Sequence, residues 1–106
     1  MQAYGNTCAV TGCDAIEALE ASHIVPYLGP DTDRTSNGML LRADVHILFD
    51  LGLIAIDTAN MSVILSPRLI DTLYSRLAGR PISLPGAPGQ APSKEALNHH
   101  RAWSGL

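Results

Sequence analysis

Four side chains in the first half of this 106-residue chain have types and spacing that suit one reaction: His23, Asn37, His46 and Asp50. A neutral imidazole with a pKa of about 7 can take a proton from water. A divalent ion can offset charge on a phosphate and on its leaving oxygen. An Asn carboxamide can accept the proton on the far ring nitrogen of a base and fix its tautomer. These are the parts of metal-assisted phosphodiester hydrolysis.

The elements that must position them can be read from local signals. Glu17 to Pro26 alternates imperfectly and stops at a proline, as a strand ending in a turn does. Residues 29–38 are polar and rich in turn formers, and Met39 to Leu41 is a short apolar strand. Asp44 is placed to cap a helix from Val45 to about Leu51, with Gly52 at its end. Strand, loop, strand and helix are a compact way to bring a strand-end histidine against a helix histidine 23 residues later. Beyond them, Leu53–Asp57 and Ser62–Leu65 read as two strands around a Thr58-Ala59-Asn60 turn. Pro67 opens a stretch in which Leu69, Ile70, Leu73, Tyr74 and Leu77 recur at helical spacing, so one amphipathic helix is expected over 67–79. Residues 80–92 read as a Pro/Gly loop without regular period. Ser93 caps a last helix running to about Trp103. Phe49, Tyr74 and Trp103 are expected in the core.

Three blocks carry a resemblance. Leu19-Glu20-Ala21-Ser22-His23-Ile24-Val25-Pro26, Ser36-Asn37-Gly38-Met39-Leu40-Leu41 and Asp44-Val45-His46-Ile47-Leu48-Phe49-Asp50 stand in order. They resemble the HNH nucleases, in the branch that reads A-H-I-x-P, N-G-L-x-L and H-x-L-F-D. That branch often forms the C-terminal nuclease domain of modification-dependent restriction enzymes. The resemblance runs from about Tyr4 to Asp57, and more loosely to His100 and Arg101. It implies an α+β fold with a small ββα-metal (His-Me finger) core, extended by a β-hairpin and C-terminal helices. It implies DNA as substrate and one divalent ion, Mg²⁺ or Mn²⁺ foremost, with Ni²⁺ or Zn²⁺ accepted by some members, and a 5′-phosphate product. By position, His23 matches the general base, Asn37 the residue that orients it, and His46 the metal-binding residue of the helix.

One position departs from the wider family. Many HNH nucleases carry Asp or His just before the first motif histidine, as a second metal ligand. Here it is Ser22, and a neutral hydroxyl is a poor ligand for a hard divalent ion. Without an acid there the site relies on His46, phosphate oxygens and water; the alternative is that Asp44 or Asp50 approaches, and Asp50, four residues after His46 on the same helix face, is the candidate metal ligand. Arg34, Arg42, His100 and Arg101 are the candidates for DNA-backbone contact, since guanidinium suits phosphate. Cys8 and Cys13 lack the second cysteine pair of a zinc knuckle, so both read as small buried residues.

Length and composition set the frame. A chain of 106 residues with 46% apolar content fits one domain, 1–106, with a motif core over about 4–57 and a helical extension over about 67–106. The 7 Lys+Arg against 10 Asp+Glu give a net charge of −3 and exclude a polybasic, non-specific nucleic-acid binder. Few phosphate contacts, and hence a shallow salt dependence, are expected. No leader or membrane span is read, and the expected compartment is the cytoplasm. So small a nuclease has little surface for reading bases. A homodimer or a fused reader domain is therefore expected to supply specificity, in a restriction or defence role. The competing readings are a catalytically degenerate HNH-fold binding module and a nuclease acting on RNA.

Overall fold

The structure is a computed structural model and describes residues 5–24, 37–84 and 92–106. Residues 25–36, which hold most of the polar loop and Arg34, lie outside the described residues.

The site is carried by a β-β-α unit. Strand β1 (Leu19–His23) pairs antiparallel with β2 (Gly38–Arg42), in a register that sets Leu19 opposite Arg42 and His23 opposite Gly38. The apolar run Met39-Leu40-Leu41 is buried throughout. β2 passes without a loop into helix α1 (Ala43–Asp50). The capping residue is Arg42, in extended conformation, and not Asp44, which sits inside the first turn. Asp44 cannot cap because its carboxylate is engaged by Arg42 and by the Val45 N–H. α1 ends as expected at Gly52, whose φ is +74°. The Leu53 N–H reaches the Leu48 carbonyl and the Gly52 N–H reaches that of Phe49, closing the helix with a left-handed residue. A side-chain carbon at position 52 would also come within 3.2 Å of the Trp103 ring.

Strands β3 (Ile54–Asp57) and β4 (Ser62–Leu65) form the expected antiparallel hairpin. Asp57 accepts from the Ala59 N–H to start its turn. Helix α2 (Lys94–Ser104) is capped by the Ser93 hydroxyl and packs on β3, with Leu97 and His100 turned inward. The core runs from Cys8 and Val10 through Met39, Leu41, Val45 and Phe49 to Ile54, Ile56 and Leu97. No helix among the described residues is long and apolar enough to cross a membrane.

A further expectation fails. In place of one amphipathic helix over 67–79 there are two short 3-10 turns, Pro67–Leu69 and Leu73–Leu77. Thr72 breaks the run: it is extended (φ −109°, ψ 172°), its hydroxyl donates to the Leu69 carbonyl and accepts from the Tyr74 N–H. Local side-chain bonds of this kind compete with helix. The apolar spacing was misleading as well, because Leu73 is 80% exposed. The start of the 80–92 loop is also more ordered than its composition implies. The Val63 N–H donates to the Arg80 carbonyl and the Ile82 N–H to that of Met61, so residues 79–83 run beside β4. Residues 85–91 lie outside the described residues.

Candidate active site

His23 ends β1, Asn37 precedes β2, and His46 and Asp50 lie one turn apart on α1. The sheet register brings the first two together, since the Ile24 N–H donates to the Asn37 carbonyl at 2.9 Å. Asn37 is buried at the closed end of this ladder, while His23 is exposed. A cleft of about 480 Å³ opens between the end of β1, α1 and α2, and His23, His46, Asp50, His99, His100 and Trp103 line it. Four of the candidate site residues named from sequence, His23, His46, Asp50 and His100, thus share one cavity.

Within it, His46 is held from both sides. Its Nδ1 is 2.7 Å from Glu20 Oε1, and its Nε2 is 3.0 Å from Asp50 Oδ2. The Asp50 bond follows from the four-residue helical spacing. Glu20 was not singled out from sequence. Its contact spans 26 residues, and no periodicity links a strand residue to a helix that far on. Ser22 is 1% exposed and its hydroxyl turns to the His23 carbonyl, so the position before His23 offers nothing to the cleft.

Asp44, the other acid considered for the site, is consumed elsewhere. It accepts from Arg42 at 2.7 and 3.0 Å and from the Tyr74 hydroxyl at 2.7 Å. The Arg42 guanidinium foremost holds the Asp44 carboxyl down at about 2. The same bond raises Arg42, and the Asp44 carboxylate raises Tyr74. A carboxyl depressed in the folded state contributes stability above its unfolded value, and that contribution is lost as pH falls from 3.8 toward 2. The Asp44→Asn variant is therefore expected to have a lower urea midpoint than the parent at neutral pH. The gap should narrow across that acid window. It should stay modest, because Asp44 is 39% exposed and screened by solvent.

The residues expected to touch DNA are mostly engaged within the chain. Arg42 is paired with Asp44. Arg101 reaches Asp57 at 3.7 Å and the Leu106 carbonyl at 3.1 Å. His100 is 5% exposed, stacked on Phe49 with ring centroids 3.6 Å apart, and its Nε2 donates to the Phe49 carbonyl. Burial pushes its pKa down and favours the neutral ring. With Nε2 carrying the proton, Nδ1 is a buried acceptor without a partner among the described residues. His100 is thus part of the joint between α2 and α1. Trp103, expected in the core, is 63% exposed on the rim of the cleft instead. Arg76 and Arg80 have no ion-pair partner among the described residues and line a second cleft with Arg42 and Tyr74. Cys8 is buried, as expected, and its sulfur accepts from the Thr11 and Arg42 N–H groups.

Comparison with known proteins adds three findings. No curated protein matches the sequence. A solved structure titled modification dependent TagI restriction endonuclease is similar, with a TM-score of 0.70 and 21% sequence identity, over 96% of this chain and 34% of that one. At that identity the likeness establishes the fold, an α+β arrangement consistent with a ββα-metal core, and this chain spans about a third of that protein. The HNH endonuclease family profile matches residues 8–57. That segment holds β1, β2, α1 and all four of His23, Asn37, His46 and Asp50, and over it the chain is similar to the HNH endonuclease family.

Proposed function

We propose that this chain hydrolyses DNA phosphodiester bonds with one divalent metal ion, in the cleft between β1, α1 and α2. The observation that carries the reading is the shared cavity: His23, the candidate base, lies beside the His46–Asp50 pair. His23 takes the proton of the attacking water, and Asn37 steadies the ladder end from which His23 projects. His46 Nε2 and Asp50 Oδ2 would hold the ion.

The donor set fits such an ion. His46 Nε2 and Asp50 Oδ2, 3.0 Å apart, are an imidazole nitrogen and a carboxylate oxygen that such an ion could share as ligands. Among the described residues no group of three or more His, Cys, Asp and Glu side chains is arranged to hold a metal. Two protein donors therefore leave most of the shell to water and phosphate oxygens, so metal and DNA are expected to bind together. When bound, the ion supplies positive charge at the scissile phosphate and the leaving oxygen. The Asp50 carboxylate and the remaining water and phosphate oxygens suit Mg²⁺ and Mn²⁺, and the imidazole would suit Ni²⁺ or Zn²⁺.

Backbone contact falls first to Arg76 and Arg80, which have no ion pair among the described residues, and then to Arg34, Arg42 and Arg101. A homodimer or a fused reader domain supplies the specificity so small a domain lacks, in a restriction role.

Supercoiled plasmid incubated with the pure chain is expected to be nicked in Mg²⁺ or Mn²⁺ and left intact in EDTA. Failure to nick with every metal would favour a binding module on a degenerate HNH fold. Preferential cleavage of RNA would reassign the substrate.

A further inference from the structure

We infer that Glu20 is the positioning residue that makes His46 a metal ligand, standing in for the acid that is missing before His23. The inference rests on the proposed reading of His46 as metal-binding and goes one residue further.

The two nitrogens of His46 face different surroundings. Nε2 faces Asp50, and both residues line the cleft that His23 shares. Nδ1 points to Glu20, which does not line that cleft. An imidazole can ligate a metal only through a nitrogen that carries a lone pair, and the partner of the other nitrogen decides which one that is. Glu20 Oε1 is placed at 2.7 Å to accept an Nδ1–H, while Asp50 Oδ2 competes for the proton at Nε2 from 3.0 Å; the shorter contact favours the tautomer with its lone pair on Nε2, in the cleft. Without Glu20 the neutral ring is free to carry its proton on Nε2, or to turn over.

Glu20 is well placed for the task. The β1–β2 register sets it opposite Leu41, one residue before the Arg42 cap of α1. Strand and helix therefore move as one unit, and the carboxylate is held at a fixed offset from the ring. Position 22, the usual place for an acid, is buried and turned to the backbone. A carboxylate that orients a ligating histidine from behind is a recurrent device in metal sites, and its loss typically weakens metal binding about 10–100-fold.

The test is Mn²⁺ binding by the intact chain, followed by the loss of free-ion EPR signal, for the parent, Glu20→Ala, Glu20→Gln and His46→Ala. Glu20→Ala is expected to weaken binding about 10–100-fold with little change in melting temperature, since Glu20 is half exposed. Glu20→Gln keeps an acceptor oxygen for Nδ1–H and should recover most of the affinity. Imidazole ¹⁵N shifts of the metal-free chain, at a pH alkaline enough to neutralise the ring, give a readout that does not depend on metal. The parent and Glu20→Gln should hold the Nδ1–H tautomer, and Glu20→Ala should not. Unchanged Mn²⁺ affinity in Glu20→Ala, or an Nε2–H tautomer in the parent, would overturn the inference. Equal losses in Glu20→Gln and Glu20→Ala would overturn it in favour of Glu20 as a direct ligand. If His46→Ala binds Mn²⁺ as the parent does, the fault lies instead in the metal-binding reading of His46.

Discussion

Replacing His23 with alanine is expected to slow DNA cleavage by about 10²–10⁴-fold, the usual contribution of a positioned general base, while fold and DNA binding stay as they are. His23 is exposed at the last residue of β1, so its removal empties no core volume. The backbone there is held by its pairing with Gly38 and by the Ile24–Asn37 bond, neither of which needs the imidazole. The loss should therefore fall on the rate and not on affinity. Circular dichroism, thermal melting and duplex binding in Ca²⁺ would be read beside the cleavage rate. A variant that melts early would mean that His23 also holds the strand end together, and one that cleaves at the parent rate would remove it from the chemistry.

The second large effect is on the scaffold. Phe49→Ala is expected to cost about 3–5 kcal/mol, as truncation of a buried aromatic does. Phe49 is 1% exposed, its ring stacks flat on His100, and its carbonyl accepts from His100 Nε2. One residue thus ties α1 to α2 by ring and by backbone, and the cleft lies along that joint. Domains of this size hold only about 5–15 kcal/mol in all, so the melting temperature should fall by more than about 12 °C. Ile47, two residues earlier on α1 and 58% exposed, supplies the control. Ile47→Ala should shift stability by no more than about 0.5 kcal/mol. Equal losses at the two positions would mean that α1 is not packed as described.

The parts of the fold legible in the sequence are those set by local chemistry. The apolar run before Arg42, Gly52 past the end of α1, the turn between β3 and β4, and Ser93 as the cap of α2 are all short-range signals. His23, His46 and Asp50 could be read together because their motif blocks stand in order and Asp50 follows His46 by one helical turn, and all three line one cleft. What failed was set by competition or by distance. The hydroxyl of Thr72 broke a helix whose apolar spacing was good. Asp44 looked like a cap until Arg42 and Tyr74 claimed its carboxylate, the latter from 30 residues away. Glu20 was hidden for the same reason, since only the packing of α1 against β1 brings it to His46. The arginines illustrate it too. Arg42 and Arg101 looked available for phosphate, and both are paired inside the chain, whereas among the described residues Arg76, in the stretch read as helix, and Arg80, at the start of the stretch read as loop, have no ion pair. A net charge of −3 therefore says little about DNA, because what matters is which cations remain unpaired and where.

The central claim is a division of labour, with His23 as base and His46 as holder of the ion. Single-turnover cleavage of an end-labelled duplex by the parent, His23→Ala and His46→Ala, each over a wide range of Mn²⁺, separates the two roles. Both variants should be slow at low Mn²⁺. Raising Mn²⁺ should recover a part of the His46→Ala rate, because Asp50, water and phosphate can still gather an ion, and should recover none of the His23→Ala rate. Recovery of His23→Ala by Mn²⁺ with none in His46→Ala, or parent-like cleavage by either variant at low Mn²⁺, would contradict the account.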